Sequence, residues 1–385
     1  MYKIKTLNEI AAEGLQLLTP RYSIDTGDTV DGILVRSSNM LTMEFDPRLK
    51  AIARAGVGVN NIPLEACAEK GIVVFNTPGA NANGVKEAVI AGLMLASRDI
   101  VGAIDWAKTL IEEEDVAKKV EAGKAQFTGP EIKGKTLGVI GLGAVGVLVA
   151  NAANALGMTV LGYDPYISVA SAWGLSRNVK RASSYDELYT QCDYLTLHIP
   201  LLDVTRGLIN ADSIAKMKDD IRILNFARAE LVDDFAMTHA LKDGRVAKYV
   251  TDFPNAMTLQ MKNCISIPHL GASTPESEIN CAIMAVHQMM DYLENGNIKN
   301  AVNYPDCEVG LCRSDARITI NHKNIPNMVS QITSVMGQNH INIDTMQNMS
   351  KKAWAYTVLD VEGEITPEII ASLEAIEGVV RVRIL

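Results

Sequence analysis

Aromatic side chains are scarce in this 385-residue chain, at 5% of the total with 3 Trp, so few of its hydrophobic residues are aromatic. The hydrophobic share is nevertheless 48% against 21% charged, which is the balance of a globular protein and excludes a disordered one. No Cys-x-x-Cys pair occurs. The cysteines, Cys67, Cys192, Cys264, Cys281, Cys307 and Cys312, are scattered without a His at zinc-finger spacing, so no metal is expected, and the thiols read as reduced in a cytoplasmic protein. There is no basic excess either. A net charge of -9 argues against a nucleic-acid partner, which would require concentrated Lys and Arg. The opening MYKIKTLNEI lacks the apolar stretch of a secretory leader. The uncharged run from Thr136 to Tyr163 has the length of a membrane span, but its six glycines, two asparagines and change of period predict a buried strand, turn and helix, and no membrane partner.

A chain this long predicts two or three domains. The first hundred residues alternate apolar runs (GILVRS from Gly32, LKAIARAG from Leu49, GIVVFNTP from Gly71) with helix-like segments, the pattern of a parallel sheet covered by helices. A helical stretch begins at Glu87 and gives way to a Lys-rich segment ending near Gly134. A second series follows at TLGVIG, MTVLGYD, YLTLHIP, IRILNFA, AKYVTDF and CISIPHLG, six strands that suit a doubly wound sheet. After a further helical run the chain loosens at NYPDCEVGLCRSD, and a compact βαββαβ unit follows from Ala316. The expected fold is α/β, with two doubly wound Rossmann-like domains and a small terminal βαββαβ domain. The expected boundaries are 1–95 with 284–305 for a substrate domain, 96–283 for a nucleotide domain, 306–315 for a linker and 316–385 for the terminal domain.

Gly141-Leu142-Gly143-Ala144-Val145-Gly146 follows a strand-like run and opens a helix-like one. Glycines there permit a tight turn and let backbone amides approach a pyrophosphate, whose charge a helix N-terminus favours. Asp164 ends the next strand, where a carboxylate accepts hydrogen bonds from the adenosine ribose and repels a 2′-phosphate, which selects NAD over NADP.

Two further segments, ILNFARAELVDD from Ile223 and IPHLGASTPES from Ile267, resemble the paired signatures of the D-isomer-specific 2-hydroxyacid dehydrogenases, and the resemblance extends to about Tyr304. It implies that Arg228 holds the substrate's carboxylate and carbonyl oxygen while His269 exchanges the alcohol proton. The chemistry asks for such a pair: a group titrating near neutrality at the hydroxyl, and a permanently charged two-pronged donor for the carboxylate. The resemblance also implies cofactor contacts at His198, Ile199, Pro200, Thr205, Phe226 and Ala227, and at Asp252 near the nicotinamide amide. Two positions depart from the family. Ala229 follows the catalytic Arg where Gly is usual, and Met257 occupies the position, counted without gaps, of the Glu that pairs with the His. Glu230, Glu276 and Glu278 are the nearest substitutes, and a dyad of Arg228 and His269 is expected.

The family's carboxylate-binding amides correspond to Val57, Gly58 and Val59. Arg36, Arg54 and Lys86 near that loop suggest a second anionic group, hence a phosphorylated D-2-hydroxy acid such as 3-phospho-D-glycerate; D-lactate, D-glycerate and 2-hydroxyglutarate are the alternatives, and an NAD-sensing protein without catalysis is another. The terminal unit resembles an ACT domain, a module that binds amino acids between copies. That resemblance implies an L-serine effector at His322, Asn324 and Asn342 and a homodimer or higher homo-oligomer, with Asn327 standing where the module often has Gly.

Overall fold

The structure is a computed structural model describing residues 1–385, and it divides into two compact units, Met1–Asn81 with Pro275–Leu385, and Ala82–Thr274. The expected boundaries at 95/96 and 283/284 therefore move to 81/82 and 274/275. The helix Ala82–Ser97 buries Val89, Leu93 and Ala96 with Val139, Leu224 and Val250 of the second unit, and a Cβ at its Gly92 would come within 3.1 Å of the Leu224 and Phe226 side chains. The helix Pro275–Asn295 buries Cys281, Ala282, Ala285, Val286, Met289, Tyr292 and Leu293 in the first unit, at the spacing of one helical face.

In the first unit a five-stranded sheet runs Tyr22–Ile24, Tyr2–Thr6, Gly32–Val35, Ala51–Arg54 and Val73–Phe75 in spatial order, every neighbour parallel. Gly32–Val35 and Val73–Phe75 are buried along their whole length, as parallel strands covered on both faces are. Two of its strands, Tyr2–Thr6 and Tyr22–Ile24, are short and carry polar residues, so the apolar-run pattern did not mark them.

The terminal residues form an antiparallel sheet in the order Asn342–Lys351, Trp354–Glu362, Ala316–Lys323, Val379–Ile384. Helices Met328–Gln338 and Pro367–Glu374 cover one face, burying Ile332, Met336, Ile369 and Leu373 against Ile318, Ile320, Leu359 and Val361. This is the expected βαββαβ unit, and Asn327 takes the left-handed conformation at φ 70°. Its other face carries Trp354, Tyr356 and Val358 into the main core of the first unit. Arg317 pairs with Asp360 at 2.6 and 2.8 Å and also donates to the carbonyls of Asn295 and Gly310. Arg381 donates to the carbonyls of Leu49, Pro47 and Lys70, and Arg383 to those of Tyr292 and Leu293. The expected linker at 306–315 is accordingly not loose: Cys307 bridges Ile298, and Asn297 Oδ1 accepts from Val309 and Gly310. Backbone groups that would be unsatisfied in a free linker are paired there.

The second unit holds a seven-stranded parallel sheet: Cys264–Ser266, Val246–Thr251, Ile221–Asn225, Tyr194–Leu197, Thr136–Ile140, Thr159–Tyr163 and Lys180–Arg181. The seventh strand, Lys180–Arg181, was not expected; it is two residues long and exposed. The order reverses at Thr136–Ile140, and in sheets of this class the crevice for a ligand opens at the carboxyl ends beside that reversal. The uncharged run from Thr136 is the strand, turn, helix and strand expected. No helix is long and apolar enough to cross a membrane.

Candidate active site

The turn after Thr136–Ile140 shows why its glycines are needed. Gly141 sits at φ 89°, and a Cβ there would lie 2.5 Å from the His198 carbonyl oxygen. At Gly146 a Cβ would lie 2.0 Å from the Gly141 oxygen, so the helix Ala144–Ala155 could not close onto the turn. Gly143 differs: a Cβ there meets nothing within 4 Å. The protein leaves that space open at a helix N-terminus, where an anion is favoured. Asp164 is held beside it, accepting from the Leu142 and Tyr166 amides at 2.8 Å each, so the acid and the glycine turn are one built element.

Other residues expected to meet the cofactor fall into distinct groups. His198 is part-buried, its Nε2 is 3.0 Å from the Thr196 hydroxyl, and burial pushes its pKa down to about 3, so the ring is neutral. Thr205 organises its own loop by donating to the Pro200 carbonyl and accepting from the Leu202 amide, which leaves Ile199 half-buried and Pro200 exposed. Phe226 is 7% exposed and belongs to the core; the backbone beside it, rather than the ring, is what the site can use. The Ala227 amide is engaged by Asn225.

Arg228 stands exposed where the strand Ile221–Asn225 has ended, one donor on the Ala227 carbonyl at 2.6 Å and the rest of its fork free. Ala229 opens a short 3-10 turn, so the position usually given to Gly needs no left-handed backbone here. His269 is exposed with φ 47°, its amide on the Asp252 carbonyl and its ring 4.9 Å from that of Phe253. Asp252 is 2% exposed: Oδ2 accepts from the Gly271 amide at 3.2 Å, while Oδ1 has no partner. Burial raises its pKa, and the charges opposing that rise are His269 and Arg228. The three residues are thus one electrostatic group within the nucleotide unit. No carboxylate is hydrogen-bonded to the His269 ring. Met257 packs against the apolar cluster of that unit, and Asn255, two residues earlier, bonds Asp234.

In the first unit, the turn after Ala51–Arg54 is pinned by residues that the sequence did not mark. The Thr77 hydroxyl accepts from the Gly56 amide at 2.8 Å, and Asn76 donates to the Val57 carbonyl at 2.6 Å. Both follow the strand Val73–Phe75, and polar residues directly after a buried parallel strand are the signal that points to them. The amides of Val57, Gly58 and Val59 find no acceptor in the protein, as an anion-binding nest requires. The Arg54 guanidinium folds over this turn, its Nε on the Arg36 carbonyl at 2.9 Å and its Nη1 2.7 Å from where a Gly56 Cβ would be. Arg36 itself pairs with Glu278 at 2.5 Å, which occupies one of the candidate substitute carboxylates. Lys86, in the other unit, is half-buried and 3.5 Å from Glu87.

In the terminal domain His322 is 1% exposed. Nδ1 lies 2.8 Å from the Lys323 oxygen, and Nε2 lies 2.8 Å from the Thr357 hydroxyl and 3.3 Å from Asn348 Oδ1. Asn324 donates to the Lys352 carbonyl, and Asn342, on the outer strand, donates to Glu362. The structure therefore does not bring these three residues together within one copy.

Residues 100–271 match the model of the D-isomer specific 2-hydroxyacid dehydrogenase NAD binding domain. The D-3-phosphoglycerate dehydrogenase of Haemophilus influenzae is 30% identical over 365 residues, covering 91% of this chain and 85% of its own length. The chain belongs to the D-isomer-specific 2-hydroxyacid dehydrogenases. The D-3-phosphoglycerate dehydrogenase of Methanocaldococcus jannaschii is 37% identical over 315 residues, 79% of this chain but 57% of that protein. The chain thus spans little more than half the length of that relative. Among solved structures, an NAD+-bound 3-phosphoglycerate dehydrogenase of Entamoeba histolytica is 28% identical with a TM-score of 0.59, covering 78% of this chain and 98% of that one. The second unit is accordingly an NAD-binding domain, and the open space at Gly143 beside the held Asp164 fits that group.

Proposed function

We propose that this dehydrogenase oxidises 3-phospho-D-glycerate to 3-phosphohydroxypyruvate, the step that opens L-serine synthesis. The observation that carries the substrate is Arg54, laid over a turn whose three amides lack acceptors: the turn offers donors for a carboxylate, and the guanidinium offers a second anion site for the phosphate. Bound NAD supplies the acceptor for the hydride that leaves C2. Arg228 orients the substrate through its carboxylate and the oxygen on C2, and His269, neutral at the start, takes the hydroxyl proton. Asp164 holds the adenosine ribose, and the free Asp252 oxygen accepts from the nicotinamide carboxamide. Lys86 and Arg36 add positive charge for the phosphorylated substrate, with Glu278 moderating Arg36. The protein acts in the cytoplasm as a homo-oligomer. L-Serine binds between terminal domains of two copies, through His322 and Asn324 of one and Asn342 of the other. Because both ring nitrogens of His322 are already engaged, serine would replace the longer contact, that to Asn348 at 3.3 Å.

The test is NADH formation with 3-phosphoglycerate, D-lactate, D-glycerate and 2-hydroxyglutarate, each with and without L-serine. A preference for an unphosphorylated acid overturns the substrate, and no turnover with any of them overturns catalysis.

A further inference from the structure

The strand Val73–Phe75 ends just before the two residues that hold the anion-binding turn, so the sheet ladder no longer satisfies their backbone. Asn76 and Thr77 clasp that turn at three points. Asn76 Nδ2 donates to the Val57 carbonyl at 2.6 Å, the Thr77 amide donates to the Gly56 carbonyl at 3.1 Å, and the Gly56 amide donates to the Thr77 hydroxyl at 2.8 Å. A clasp fixes a turn only if it is itself held. The hold comes from behind, from the helix Pro275–Asn295, where Gln288 is 7% exposed on the face that also buries Cys281, Ala285 and Tyr292. A buried carboxamide costs free energy unless both its ends are paired, and here both are: Nε2 donates to the Asn76 carbonyl at 3.0 Å, and Oε1 accepts from Asn300 Nδ2 at 2.7 Å. Asn300 closes the ring, its own carbonyl accepting from the Asn76 amide at 3.4 Å. Its φ of 60° lies in the left-handed region, which Asn tolerates better than most residues. The chain beyond it is anchored too, with Ala301 bridging Phe75 and the Val302 amide on the Val74 carbonyl.

We infer that Gln288 is a positioning residue for substrate binding: with Asn300 it clamps the backbone of Asn76, and through Asn76 and Thr77 it sets where the amides of Val57, Gly58 and Val59 meet the substrate's carboxylate. The inference rests on the proposed use of those amides, and it gives Gln288 no contact with substrate or cofactor. Amides that converge on a carboxylate bind it well only while their directions are fixed, because a hydrogen bond weakens steeply as its angle closes. An apolar residue at 288 would fill the helix face without any polar demand. It would also leave the Asn76 carbonyl and the Asn300 side chain without their partner and the clasp free to shift. The carboxylate is not the group that reacts, so its donors act alike on the ground state and the transition state. A displaced turn is therefore read in KM rather than in kcat.

Gln288→Met keeps the volume of the side chain and removes both of its hydrogen bonds. Asn300→Gly removes only the side chain that holds Gln288, since glycine accepts the positive φ. The full-length, ligand-free proteins are compared by hydrogen–deuterium exchange mass spectrometry over residues 54–60 and 74–80, and initial rates at saturating NAD give KM and kcat. In Gln288→Met both segments should exchange faster while the sheet of the second unit does not. KM for the acid should rise about tenfold, the low end for losing one charge-assisted hydrogen bond, with kcat and NAD affinity nearly unchanged. Asn300→Gly should act in the same direction and more weakly. The double variant should be no worse than Gln288→Met alone, because the Asn300 side chain works through Gln288. Unchanged exchange of both segments in a folded Gln288→Met protein overturns the inference, and so does a fall in kcat at unchanged KM, or full additivity of the two substitutions. If Gln288→Met does not fold, Asn300→Gly carries both readouts, and wild-type exchange and KM in that variant overturn the inference. Every 2-hydroxy acid carries the carboxylate and the exchange measurement needs no substrate, so rejection of 3-phosphoglycerate as the substrate leaves this test standing.

Discussion

The three glycines of the cofactor turn predict opposite outcomes for the same chemical change. Adding a methyl at Gly143 meets nothing within 4 Å, and its φ of -75° suits alanine; the entropy gain, about 0.4 to 1 kcal/mol, is offset by alanine's poorer fit as a helix N-cap, so Gly143→Ala should leave the fold intact and its stability nearly unchanged. At Gly146 the new Cβ lies 2.0 Å from the Gly141 oxygen; since contacts under 3.0 Å essentially never occur, the helix must withdraw by about an ångström. Over-packing of this kind costs about 1 to 3 kcal/mol, and for a domain of this size each kcal/mol lowers Tm by about 2 to 4 °C. Scanning calorimetry should therefore show Gly146→Ala lower by roughly 2 to 12 °C and Gly143→Ala nearly unchanged. NAD binding reverses the comparison for Gly143. The methyl fills the space through which the pyrophosphate reaches the amides, and losing one charge-assisted hydrogen bond, about 1.5 to 3 kcal/mol, weakens binding by about tenfold to a hundredfold. Titration calorimetry with NAD checks this directly. A Gly143→Ala protein that binds NAD as the wild type does would refute the reading of that space, and a Gly146→Ala protein of unchanged Tm would refute the packing argument.

Replacing Asp164 by Ser should narrow the preference for NAD over NADP in paired binding measurements, because the carboxylate repels a 2′-phosphate; an unchanged ratio would show that the acid does not face the ribose. Arg54→Met should raise KM for 3-phosphoglycerate at least tenfold while leaving D-glycerate little affected, read from initial rates. Arg381→Met leaves the carbonyls of Leu49, Pro47 and Lys70 without their donor, so Tm should fall by several degrees in a thermal melt, and an unchanged Tm would mean that the terminal domain is not braced there. The depressed pKa of His198 means that the unfolded chain takes up a proton that the folded chain refuses, so this contribution to stability is full above pH 6.5 and is lost as pH falls from there towards about 3. His198→Gln should flatten the melting temperature in that window.

Much of the architecture was legible because it depends on local pattern. Parallel strands buried on both faces read as continuous apolar runs, the glycine turn has a spacing that few other structures require, and the βαββαβ unit announces itself through Pro326, the Thr366-Pro367 helix start and alternating strands. The signatures around Arg228 and His269 pointed to the family. The boundaries were less legible. A helix such as Ala82–Ser97 has the same apolar stripe whichever core it enters, and contacts with Val139, Leu224 and Val250, all distant in sequence, decided it. So too for the segment 306–315, whose polar composition suggests a free linker but whose backbone is held by Asn297 and Arg317. The sequence identified Arg36, Arg54 and Glu278 only as charges. Their pairing, the three acceptor-free amides pinned by Asn76 and Thr77, and the isolated oxygen of Asp252 were decided by the tertiary structure, because hydrogen bonding and burial depend on residues that only folding brings within reach.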